Sequence, residues 1–91
     1  MGLKSTTVCL GYQQITDLSS AVGLTIPSGT TLALIVPETQ NVRWRDDGTN
    51  PTASVGMPIF VGASLSYDGD LSRIKFIQET ASAKLNISYY A

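Results

Sequence analysis

The side chains best equipped for chemistry are concentrated in one stretch, Val42-Arg43-Trp44-Arg45-Asp46-Asp47-Gly48-Thr49-Asn50-Pro51-Thr52. It holds the only tryptophan of the chain, two of its three arginines and two of its five aspartates. Arginine and tryptophan are enriched at binding hot spots, because a planar guanidinium or an indole offers a large, specific contact area. Carboxylates beside hydroxyl and amide groups, as in Asp46-Asp47-Gly48-Thr49-Asn50 and again in Asp68-Gly69-Asp70, are oxygen ligands of the kind calcium takes. Neither run has the spacing of an EF-hand loop, and Asp-Gly steps are routine turn formers, so turn chemistry is the expected use of these acids. Paired carboxylates also run glycoside hydrolysis. Here every acid falls at a turn, and a 91-residue chain has little room for a deep cleft. Histidine is absent, which removes the commonest general base and metal ligand and leaves Ser-His, Cys-His and zinc sites without their parts. The expectation is a protein that is not an enzyme, with no catalytic residues, no cofactor and no metal.

Composition narrows the class further. A chain of 91 residues buries roughly 60–65% of its unfolded surface and supports one core, so residues 1–91 are expected to form a single β domain. Charged residues make up 14%, against about 25% in typical soluble proteins, and so charge-poor a surface favours association, including a homo-oligomer. The net charge of −1 offers no basic footprint for phosphates, so no nucleic-acid partner is expected. No run approaches the ~20 apolar residues of a membrane helix, and Met1-Gly2-Leu3-Lys4-Ser5 is not followed by the apolar core of a signal peptide, so neither membrane nor export is expected. Gly2 with Ser5 loosely fits a myristoylation start, and Asn86-Ile87-Ser88 a glycosylation sequon; both read as chance matches. Cys9 is the single cysteine, which excludes an internal disulfide; within Val8-Cys9-Leu10 it reads as a buried, inert thiol.

The elements that must position the Arg-Trp-Arg stretch are strands. Segment after segment alternates with period two over four to eight residues, bounded by Gly, Pro, Asp, Asn or Ser, and no segment keeps the i, i+3, i+4, i+7 pattern of an amphipathic helix beyond one short turn near Asp17 to Ala21. Strands are predicted over Thr7–Tyr12, Leu24–Ile26, Thr30–Val36, Val42–Asp46, Met57–Val61, Leu65–Asp68, Arg73–Gln78 and Lys84–Tyr90. Thr30–Val36 is so apolar that both its faces should be covered, placing it centrally. Pro37 should close it, with Pro37 to Asn41 as a hairpin loop into Val42–Asp46. Pro58 assigns Met57–Val61 to a sheet edge or a bulge. Arg73–Gln78 and Lys84–Tyr90 should form a closing hairpin. Seven or eight short strands fit an all-β fold, a small antiparallel β-sandwich or barrel, jelly-roll-like or Ig-like.

Alternation divides the central stretch into two faces. Val42 and Trp44 point one way and Arg43 and Arg45 the other. Trp44 is assigned to the core. The arginines either present a contact surface or pair with Asp46, Asp47, Asp68 or Glu38 across the sheet. The candidate protein-contact residues are Arg43, Arg45, Asp46, Asp47, Thr49, Asn50 and Tyr90. Tyr90 enters because the apolar and aromatic residues near the ends, Leu3, Tyr12, Tyr89 and Tyr90, need cover from neighbours or from the domain's own sheet.

The run from Val42 to Met57, followed by Gly62, Leu65, Tyr67-Asp68-Gly69-Asp70-Leu71, Ile74-Lys75-Phe76-Ile77 and Leu85-Asn86-Ile87-Ser88-Tyr89-Tyr90, resembles small virion-associated structural proteins of tailed bacteriophages. The shared pattern is an arginine-rich strand, an Asp-Gly-Thr-x-Pro-Thr loop, a Gly-bounded strand and a closing hairpin ending in Tyr-Tyr, and it spans roughly the second half of the chain. The resemblance implies a structural component of the virion, made in the bacterial host cytoplasm: a capsid decoration or cement protein, or a head-accessory protein, partnered by the major capsid protein or other virion proteins. The alternative it leaves is a carbohydrate- or receptor-binding module of a tail or head fibre. The two differ in where the aromatics sit, since a saccharide platform is exposed beside polar loops and a cement protein buries its aromatics and makes contact through edges and termini.

Overall fold

The structure, a computed structural model, describes residues 7–91. Seven strands form, β1 (Cys9–Ile15), β2 (Leu32–Glu38), β3 (Val42–Arg45), β4 (Met57–Ile59), β5 (Leu65–Tyr67), β6 (Lys75–Gln78) and β7 (Lys84–Tyr90), with no helix among the described residues. All pairings are antiparallel, in a four-stranded sheet of order β1-β7-β2-β5 and a three-stranded sheet of order β4-β3-β6. The all-β class follows from the period-two pattern, because each strand must turn alternate side chains towards the core.

Between the sheets lies one core. From the larger sheet come Ile15, Ala33, Ile35, Tyr67, Leu85, Ile87 and Tyr89, and from the smaller Val42, Ile59 and Phe76, with Leu18, Leu71, Ile74 and Ala83 packed in from loops. The register places Ala33 opposite both Tyr67 and Tyr89, and Ile35 opposite both Leu65 and Ile87, so the inward row runs straight across three strands. Burying such a row stabilises by about 25 cal/mol per Å² of apolar surface removed from water, and a one-residue slip would turn every member outward.

Several expected elements differ from this arrangement. Val42–Arg45 is not the second arm of a hairpin with Leu32–Glu38, and Lys75–Gln78 does not pair with Lys84–Tyr90: each connection crosses from one sheet to the other. Alternation reports which face is buried and is blind to the partner, so short loops read as hairpins although they were crossovers. Two crossover loops brace each other instead. Thr39 Oγ1 donates to Ser82 O and Glu79 N donates to Asn41 O at 3.0 Å, while Thr39 and Ser82 both take positive φ, at 71° and 76°.

Pro37 does not end β2. It lies within the strand, opposite Leu85 and beyond the last β5 partner, and its carbonyl accepts from Gly62 N at 3.3 Å. A residue's N–H and C=O point to the same side of a strand, so the donor that proline lacks would have faced that loop and no ladder bond is lost. Position is as predicted for β2, which sits inside its sheet. Its inner face is fully covered, with Ala33, Ile35 and Pro37 buried, and its outer face only in part, with Leu32 buried and Leu34 and Val36 half-buried. Pro58 sits on β4, an edge strand, as its missing donor requires.

At the start of the chain the reading shifts by three residues. The first strand runs on through Gln13, Gln14 and Ile15, because the Gln13 amide finds partners: Oε1 accepts from Tyr89 Oη at 2.6 Å and Thr25 N at 3.1 Å, and Nε2 donates to Thr25 Oγ1 at 3.3 Å. Leu24–Ile26 forms no strand; a bridge at Val22, hydrogen-bonded both ways with Phe76 at 2.9 Å, takes its place. Cys9 is exposed and not buried, with Sγ 3.6 Å from Ser88 Oγ. It precedes a bulge on an edge strand, and its neighbours Val8 and Leu10 are 59% and 37% exposed, so the apolar run that suggested core is surface. The C-terminal end is held within the domain's own sheet, since Val8 and Ala91 exchange backbone hydrogen bonds of 2.9 and 3.0 Å. Leu3 lies outside the described residues.

Candidate functional site

Among the described residues the one pair of strands adjacent both in sequence and in a sheet is β3 and β4, so the segment 46–56 joining them is a true hairpin loop, and a long one. Sequence chemistry shapes it locally. Asp47 Oδ1 accepts from Thr49 N at 3.4 Å, closing an Asx turn around Gly48, which takes φ of 89°. Pro51 is buried, and Thr52 N and Val55 N bond each other's carbonyls at 2.8 and 3.3 Å, with Thr52 Oγ1 accepting from Val55 N at 3.0 Å. The loop re-enters β4 through Gly56 at φ 146°, where a Cβ would lie 3.1–3.2 Å from Trp44 O, Arg43 Cβ and Pro51 Cβ. Only glycine fits that close approach of the loop to β3.

Between this loop and the strands lies an open cleft of about 410 Å³, lined by Trp44, Arg45, Asp46, Asp47, Val55, Gly56 and Met57. Trp44 belongs to the core-facing row with Val42 and Phe76, yet it is only half-buried: one side packs on the core and the rest forms a wall of the cleft. Tyr67 meets its ring edge-on, centroids 5.8 Å apart at 66°, and the Tyr67 hydroxyl donates to Asp46 Oδ2 at 2.5 Å. Burial, then the Asp46 carboxylate, pushes the Tyr67 phenol up to about 12, because both disfavour a second negative charge there. Val55 and Met57 complete the rim, 52% and 58% exposed.

The two arginines divide the roles that the sequence left open. Arg45 grips Asp47 with a two-pronged contact, Nε to Oδ1 at 3.0 Å and Nη2 to Oδ2 at 2.5 Å; this holds the Asp47 carboxyl at about 2 and raises the guanidinium above its ordinary value. Arg43 pairs with Glu79, at none of the positions expected: its Nε lies 2.8 Å from Oε2 without the alignment of a hydrogen bond, and Nη1 donates to Gly56 O at 2.9 Å. Arg43 thereby ties β3, the end of β6 and the hairpin loop together. Of the seven predicted contact residues, Arg45, Asp46 and Asp47 line the cleft, Thr49 and Asn50 stand exposed on its loop, and Arg43 braces the loop from the outer face. Tyr90 is elsewhere, half-buried on the outer face of the larger sheet opposite Cys9 and Leu32. Val55, Gly56, Met57 and Tyr67 were not singled out; a lone glycine closing a polar loop before a strand was the available signal for Gly56.

Like Asp47, Asp17 and Asp70 close turns. Asp17 Oδ1 accepts from Ser19 Oγ at 2.6 Å and N at 3.1 Å, and Asp70 Oδ1 from Ser72 Oγ at 2.5 Å and N at 3.0 Å; these bonds, side-chain first, lower both carboxyls. The same tripeptide, Asp-Leu-Ser, recurs at 17–19 and 70–72, and in both the central leucine is buried in the core. The carboxylate closes the turn, alongside the Arg73 N to Asp70 O bond of 3.1 Å in the second one, while the leucine anchors it. No group of three or more His, Cys, Asp or Glu side chains among the described residues could hold a metal ion. In comparisons with known proteins the chain matches no family model, no curated protein and no solved structure.

Proposed function

We propose that this protein is a non-enzymatic assembly component that binds a larger protein particle. In the setting its sequence resemblance implies, it is a capsid decoration, cement or head-accessory protein of a bacteriophage virion, contacting the major capsid protein and copies of itself. The observation that carries the reading is the edge strand β1. Among the described residues it is paired on one side only, with β7, and it exposes Val8, Leu10 and Tyr12 at 59%, 37% and 64%. From Val8 to Thr16 it contains no charged residue and no proline. Edge strands of proteins that stay alone are protected by charge, proline or shortness; this one is seven residues long and blunted only by the bulge between Cys9 and Gly11. Such an edge is stabilised by a covering neighbour, and repetition over many sites on a particle multiplies a modest binding free energy into shell stability.

The test places one lysine on that edge, Leu10→Lys or Val8→Lys, and measures binding to particles lacking the protein together with sedimentation of the free chain. Wild type should bind at a defined copy number, and the variants should fold, since both positions are exposed, but lose association. Variants that bind as well as wild type would sink the proposal. A second reading, a carbohydrate- or receptor-binding module, is supported by the indole wall of the cleft beside polar loop residues.

A further inference from the structure

We infer that the cleft behind Trp44 is a recognition pocket for a basic side chain, lysine or arginine, presented by a partner protein. The inference takes from the assembly reading only that the partner is a protein. Its volume of about 410 Å³ falls at the lower end of the roughly 300–1,000 Å³ typical of sites that enclose a small ligand, which suits one long side chain and its neighbour.

Three features of the lining select for a cation. Arg45 is the one positive group on the wall, and Asp47 neutralises it through both prongs of its guanidinium. That leaves Asp46 as the uncompensated charge: Oδ2 takes the Tyr67 hydroxyl and Oδ1 has no hydrogen-bond partner among the described residues. Beside it stands the Trp44 indole, whose negative ring face attracts ammonium and guanidinium groups, and Val55 and Met57 offer apolar surface for the aliphatic stem of such a side chain. A saccharide would use the indole equally well but has no need of a lone carboxylate next to an already neutralised arginine. Of the cations outside the lining, Arg43 is engaged by Glu79 and Gly56 O, and Arg73 lies against Gly48, where a Cβ would stand 2.5 Å from its Nη2.

The pocket is also held ready. The Arg45–Asp47 contact, the Thr52–Val55 turn, the Arg43 bond to Gly56 O and the glycine-only approach at Gly56 fix the loop from four directions. A site built in advance loses little conformational freedom when a ligand enters.

The experiment uses the full chain and small probes, so that it succeeds or fails independently of particle binding. The unique tryptophan is in the wall, which makes its fluorescence a direct reporter, supplemented by the amide resonances of Asp46 and Gly56. Titrants are acetyl-arginine amide, acetyl-lysine amide, acetyl-leucine amide and a methyl glycoside. The basic amides should move both signals saturably, and the leucine amide and glycoside should not. Asp46→Asn keeps an acceptor for the Tyr67 hydroxyl while removing the charge, and should weaken the response about tenfold or more, the worth of a hydrogen bond to a charged group. Asp68→Asn, which removes the same charge outside the lining, should leave it unchanged. Equal response to the leucine amide, a response to the glycoside alone, an Asp46→Asn variant that binds as wild type, or no response to any probe would each overturn the inference.

Discussion

Gly56→Ala tests whether the hairpin loop is pressed onto β3 as tightly as the geometry states. At φ 146° an L-residue is strained, at a cost of about 1–3 kcal/mol. The new methyl would also meet Trp44 O at 3.1 Å and the Cβ atoms of Arg43 and Pro51 at 3.2 Å. None of these is the far end of a flexible side chain, since two belong to β3 and the third to a buried proline, so relief requires the backbone to move. Overpacking of this kind adds about 1–3 kcal/mol, for a total of about 2–6 kcal/mol. Gly62→Ala separates the two contributions: Gly62 has φ of 83° and nothing within 4 Å of its would-be Cβ, so it carries conformational strain alone, about 1–2 kcal/mol. The assay is urea unfolding followed by Trp44 fluorescence, with melting temperature as a second readout. Gly56→Ala should fall below Gly62→Ala by about 2 kcal/mol, or roughly 8–16 °C in a chain this small. If both variants lose the same stability, the close approach is not rigid and the preformed cleft fails with it.

Further outcomes follow from the same geometry. Trp44→Ala should cost about 2–3 kcal/mol by denaturation followed with circular dichroism, below the roughly 3–5 kcal/mol of a fully buried tryptophan, because part of the indole faces the cleft; a loss under about 1 kcal/mol would remove it from the core. A double-mutant cycle on Arg43 and Glu79, whose side chains are 26% and 22% exposed, should yield a coupling near 1 kcal/mol, and Arg43→Ala should cost more than Arg45→Ala, since Arg43 also holds the Gly56 carbonyl. In acid, the lowered carboxyls of Asp17, Asp47 and Asp70 contribute stability that is present above about pH 4 and is lost as pH falls through their folded values, about 2 for Asp47, so the urea midpoint should drop across that window. In base, Tyr67 and Tyr89, both pushed up to about 12, contribute stability that is complete below about pH 10 and lost as pH rises through 12; tyrosinate absorbance should show a late component, lost in Tyr67→Phe, that titrates with unfolding.

How far the site was legible depended on whether a feature was local. The inward assignment of Val42 and Trp44, the edge placement of Pro58 and the turn role of the Asp-Gly segments need only the period of a strand and the reach of a carboxylate to a nearby N–H. The Arg45–Asp47 pair was among the options for the same reason, being two residues apart. Glu79 as the partner of Arg43 was not, because it depends on β6 lying beside β3.

Sequence by itself determined that this chain is all-β, where its seven strands lie to within a few residues, and that Val42 and Trp44 share the inward face of theirs. These are consequences of side-chain alternation, which every residue of a strand reports independently. Only the tertiary structure decided which strands pair, that Cys9 is on the surface, and that Trp44 is both core and cleft wall. An inward-facing residue is buried only where the opposite sheet covers it. At Trp44 and Met57 that cover runs out, with Tyr67 meeting the indole edge-on, and an ordinary core row becomes the floor of an open cleft.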